Sequence, residues 1–77
     1  MKKEVLYVKS TFEVLKLKRE HPEKIDDELL RILLKNPSFK EKEKIEVIKA
    51  ANMALKIKEK EKLTDKKIAQ KVLDNLK

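Results

Sequence analysis

The chain contains no glycine and no cysteine in 77 residues, and only one histidine and one tyrosine. The missing glycine removes the phosphate-cradling loops, which need backbone free of a Cβ. It also disfavours two-residue hairpin turns, which want positive φ. Without cysteine there is no disulfide and no thiolate metal site. The lone His21 sits before Pro22, with only Glu20 and Glu23 close by in sequence. A general base needs an orienting partner and a pocket, so His21 reads as a junction residue. Asp26, Asp27 and Glu28 are consecutive. On a helix such carboxylates diverge, and no glycine-bearing calcium loop accompanies them. No nucleophile–base constellation is present. The expectation is a protein that is not an enzyme and has no metal and no cofactor. Long apolar runs are missing too. Val5 to Val8 is a run of four, short of the roughly 7–15 residues of a signal-peptide core. A cytoplasmic location is expected, with no membrane association.

What is present is lysine, glutamate, isoleucine and leucine, a balance seen in proteins of hot environments. So short a chain buries only about 60% of its unfolded surface. A single domain, 1–77, is expected, and its core is marginal unless helices pack tightly or copies associate. The formal charge is +7, which raises the question of anionic partners. The positive residues are scattered, and all but Arg19 and Arg31 are lysine. Base readers and phosphate clamps lean on arginine's planar fork, so this usage argues against them.

The stretch from Lys44 to Lys58 is the one around which the chain is expected to organise. On a helical wheel, Val47, Ile48, Ala50, Ala51, Met53, Ala54, Leu55 and Ile57 cover more than half of the circumference. A surface helix shows an apolar face of little more than about 100°. The wider face predicts packing on at least two sides. It also motivates an association surface made of Val47, Ala50, Ala51, Ala54, Leu55 and Ile57.

The pattern predicts an all-α bundle of three to four helices. Residues 4–9 admit two readings. Val5, Tyr7 and Val8 suit a short strand, followed by a capping box at Ser10-Thr11-Phe12-Glu13. Alternatively, Val5, Val8, Phe12 and Leu15 mark one face of a continuous helix. His21-Pro22 stops that helix near Glu20. A second helix starts between Pro22 and Asp27 and ends near Lys35. A second capping-box match, Ser38-Phe39-Lys40-Glu41, opens a long central helix over about 39–60. Thr64 is an N-cap candidate for a last helix, 65–76, with Leu63 and Ile68 at staple positions. Ile68, Ala69, Val72, Leu73 and Leu76 form its apolar side, so it should fold back on the central helix as a hairpin.

Two functional classes follow. The first is a non-enzymatic protein acting through association with itself, as a dimer or higher, or with another protein. The alternative is nucleic-acid binding through lysine rows. Lys42, Lys49 and Lys56 recur every seventh position with Lys60 beside them, and Lys67 and Lys71 are one turn apart on the last helix. Such rows can contact phosphates. Leu63 to Val72 resembles the first helix of helix-turn-helix proteins, but no recognition helix follows it in the sequence. The order of a strand at 4–9 and a helix at 11–20, then a helix with Glu28-Leu29-Leu30-Arg31, resembles ribbon-helix-helix proteins over less than half of the chain. The glycine-free link at His21 to Lys24 departs from that pattern.

Overall fold

The structure is a computed structural model that describes residues 2–76; Met1 and Lys77, the two ends of the expected 1–77 domain, lie outside the described residues. Four α-helices follow one another: α1 (Lys3–Glu20), α2 (Asp26–Leu34), α3 (Lys44–Lys60) and α4 (Asp65–Leu76), with a 3₁₀ turn at Glu41–Glu43 before α3. The described residues include no strand.

Residues 4–9 are therefore the first turns of α1, and the strand reading is corrected. The reason is tertiary. Leu6, Tyr7, Ser10, Thr11, Val14 and Leu15 are all buried. Their spacing is that of one helical face. Ser10 and Thr11, read above as caps, are core residues of a helix already under way. Ser10 Oγ donates to the Leu6 carbonyl at 2.7 Å, so its hydroxyl is satisfied inside the helix. Without a strand, the ribbon-helix-helix order is lost as well.

The α3 helix touches every other helix, as expected of the hub, and so does α1. The broadest contact of α1 is with α3. Small side chains are buried on both of these helices: Ser10 and Thr11 on α1, and Ala50, Ala51 and Ala54 on α3. Small residues let helix axes approach closely, since interaxial distance follows side-chain size. On the other two flanks α3 meets α2 and α4. The wide apolar face of α3 is thus covered by three neighbours of the same chain.

The first and last helices run antiparallel. Arg19 near the end of α1 is hydrogen-bonded to Asp65 at the start of α4, at 2.5 Å. At the opposite end Val8 and Leu73 line a common hollow. The expected hairpin of α4 on α3 is present, and Ala51, Leu55, Ile68 and Val72 belong to one core cluster.

Local chemistry explains the boundaries. The His21 N–H donates to the Leu17 carbonyl and closes α1 ahead of Pro22. Thr64 Oγ1 accepts from the Lys67 N–H at 3.3 Å, the expected cap of α4. The start of α3 is later than the expected residue 39. Phe39 is buried in the core before the helix begins, and Lys40 is extended. The Lys40 N–H donates to Glu43 Oε1 at 2.9 Å. The box therefore closes two residues downstream of Ser38, because burying Phe39 holds its backbone out of the helix.

Two stability predictions follow from this core. Ala54 is fully buried, so Ala54→Glu places an unpaired charge in the core and should cost about 3 kcal/mol or more. An unchanged thermal melt would contradict the packing. Thr11 Oγ1 is buried with no hydrogen-bond partner. Thr11→Val keeps the shape and removes the orphaned hydroxyl, so it should stabilise by about 1 kcal/mol. A loss of stability on chemical denaturation would show that the hydroxyl is satisfied in solution.

Candidate association surface

Five of the six residues expected to form an association surface on the central helix lie inside the bundle. Val47, Ala50, Ala51, Ala54 and Leu55 are buried by their own chain, and Ile57 is half-buried. They cannot meet a partner in this fold, and that assignment is corrected. The apolar width that suggested an outside partner is consumed by α1, α2 and α4. What α3 leaves outside is Ile45, 70% exposed, with Ile48 beside α3's buried face at 37%.

Ile25 and Ile32 are exposed as well, and further apolar surface lies where α1 meets α4. Two hollows of about 340 Å³ each lie there. The first is lined by Glu4, Val5, Val8, Lys9 and Leu73. The second is lined by Val8, Phe12, Lys66, Ala69, Gln70 and Leu73. They share Val8 and Leu73, so they form one trough. Val5 is 54% exposed and Phe12 39%. They stand about two turns apart on α1, one in each hollow.

Helical spacing explains why α1 contributes to both the core and the trough. Leu6, Tyr7, Val14 and Leu15 are turned inward, while Val5, Val8 and Phe12 follow one another at three- and four-residue steps on the adjacent face. The series Val5, Val8, Phe12, Leu15, read above as one face of a continuous helix, runs along the edge of the buried face, and only Leu15 is buried. The signal was present in the sequence as a second apolar series on a helix that needs only one.

The lysines of the alternative reading are on the surface. Lys42, Lys49, Lys56, Lys60 and Lys67 are exposed and Lys71 is half-buried. Two of them have carboxylate partners. Lys71 Nζ donates to both carboxylate oxygens of Glu61 at 2.7 Å, and Lys49 Nζ is 3.7 Å from Glu46. Lys49, Asn52 and Lys56 also line a shallow hollow of about 260 Å³ with Met53 and Leu76.

Titratable side chains are brought together at one part-buried place. The Tyr7 hydroxyl donates to Glu46 Oε2 at 2.5 Å and ties α1 to α3. The bond to Glu46 raises the tyrosine above its ordinary value. The same bond, aided by Lys49 and Lys3, lowers the glutamate against the opposing effect of burial. This is a structural clasp between α1 and α3. His21 Nδ1 is 3.7 Å from Glu23 at the α1–α2 junction. No group of three or more His, Asp or Glu among the described residues is placed to hold a metal ion. No described helix is long and apolar enough to cross a membrane.

Comparison with family models, with curated proteins and with solved structures finds no match to this chain.

The clasp has a pH signature. A lowered glutamate stabilises the fold above its ordinary range, and that contribution is lost as pH falls through the lowered value. A raised tyrosine stabilises below its ordinary value and loses that contribution as pH rises through the raised one. Tyr7→Phe should move the Glu46 carboxyl upward in an NMR titration and flatten the acid limb of the stability profile. An unmoved Glu46 would mean the bond is not populated.

Proposed function

We propose that this chain is a non-catalytic association module and that the α1–α4 trough, not the central helix, is its binding surface. The observation carrying this reading is the continuity of Val5, Val8, Phe12, Ala69 and Leu73 across two packed helices. Burying such a surface gains on the order of 25 cal/mol per Å² of apolar area. Exposed aromatic and branched side chains at the centre of a polar rim are the usual anchors of an interface. Glu4, Lys9, Lys66 and Gln70 supply that rim. The occupant best suited to a groove between two helices is a third helix, laid along it with apolar residues at three- and four-residue spacing.

A second reading, phosphate binding along α3, is favoured by the exposed series Lys42, Lys49, Lys56 and Lys60. Weighing against it, Lys49 already faces Glu46, and Lys71 of the α4 row is held by Glu61.

A photo-crosslinking residue placed at Phe12 in the expressing cell tests the association reading. It should yield a discrete adduct that the same residue at exposed Lys58 does not. Equal labelling at both positions would overturn the reading. For the phosphate reading, binding to generic duplex DNA should weaken steeply with salt. The association reading expects no measurable binding at low salt.

A further inference from the structure

Resting on the association reading, we infer that the occupant of the α1–α4 trough is an acidic amphipathic helix of another protein, its apolar edge beside Phe12 and its carboxylates against Lys16 and Lys66. The charge around this end of the trough has one sign. In the hollow of about 340 Å³ beside Phe12, Lys66 is the one ionic side chain of the lining. Lys16 follows Phe12 by four residues and so stands one turn further along the same face of α1. Both lysines are exposed. Neither is paired with a carboxylate of a described residue.

The nearby acids are otherwise placed. Asp65 is held by Arg19. Glu13 is turned about 100° from Phe12, on the side away from Val8. Glu4 lines only the far hollow. At other seams between elements an acid of this chain does meet the lysine: Asp26 meets Lys18 and Glu61 meets Lys71. Unmatched cations at the edge of an apolar hollow select an occupant that brings the anions itself.

That occupant has to present apolar side chains and carboxylates within a turn of each other. A helix with an apolar stripe and acidic flanks does so. Nucleic acid offers phosphates without projecting apolar groups. A bilayer is a broad plane, whereas the surface at Val8, Ala69 and Leu73 is hollow. From Val5 to Phe12 the trough covers about 10 Å of helix, so it holds about two turns of a partner. Contacts this short belong to weak, transient encounters.

NMR titration of the isotope-labelled full chain tests this with synthetic peptides. The probe is a helix of about five turns, with leucine at three- and four-residue steps and glutamate on both flanks. One control carries lysine for each glutamate, and a second scrambles the acidic peptide so that the period is lost. The acidic helix should saturate, shift Val8, Phe12 and Leu73, and bind at least about tenfold tighter than either control. Lys16→Glu with Lys66→Glu should invert the preference, whereas Lys58→Glu should change it less than about threefold. Amide spectra of the free variants establish that they are folded. Equal binding of the scrambled peptide, or shifts confined to Lys42, Lys49 and Lys56, would overturn the inference as mere attraction to a basic chain. Equal or tighter binding of the lysine helix at Phe12 would overturn the acidic partner and leave the association reading standing. Sedimentation with phosphatidylserine vesicles, without any shift by the peptide, would overturn it in favour of a bilayer. No binding of any probe would overturn the acidic helix, and the cellular adduct at Phe12 then decides the association reading separately.

Discussion

The contact of α1 with α3 is the constraint on which the rest of the molecule depends. Both helices bury small residues: Ser10 and Thr11 on one, Ala50, Ala51 and Ala54 on the other. Close approach in the middle leaves larger side chains to fill the flanks. Leu29 and Leu33 of α2 and Ile68 and Val72 of α4 complete the core. The ion pairs between elements, Lys18 with Asp26, Arg19 with Asp65 and Lys71 with Glu61, are largely exposed and worth at most about 1 kcal/mol each. They orient helices that apolar packing already holds.

This division of labour explains the location of the trough. A helix with a single inward face needs no apolar residue on its outer edge. The α1 helix has a second series, Val5, Val8 and Phe12, on the side where α4 crosses it. Because α4 contributes Ala69 at this point, the two helices leave a hollow rather than a filled seam. The bundle thus closes its centre with alanines and opens its edge beside another one. Part of the apolar area left over forms this trough on α1 and α4, and the rest stands at Ile25, Ile32, Ile45 and Ile48.

Much of this fold was legible from sequence. His21-Pro22, Asn36-Pro37 and Thr64 mark the breaks between helices, since each acts through local backbone chemistry. The antiparallel return of α4 follows from its regular apolar spacing and a short connection. The central helix was legible as a hub, but that α1 shares this role was not. Alanines spread widely around α3 resemble surplus surface, and only the three-dimensional arrangement reveals three helices covering them. Ser10 and Thr11 are equally ambiguous in print, because a small hydroxyl residue serves as a cap or as a close-packing core residue. Burial of Leu6, Tyr7 and Val14 on the same face decided between these roles. The trough was hidden for the same reason. Val5, Val8 and Phe12 fit a core face by spacing alone, and which of two neighbouring faces turns inward is a tertiary matter.

The central claim is that the surface left for a partner is the α1–α4 trough. The most direct test is chemical-shift mapping of the isotope-labelled chain, on raising its own concentration and on adding extract of the expressing cell. The account predicts perturbations that cluster on Val5, Val8, Phe12 and Leu73. Perturbations confined to Ile45 and Ile48 on α3, with none at Phe12, would contradict it.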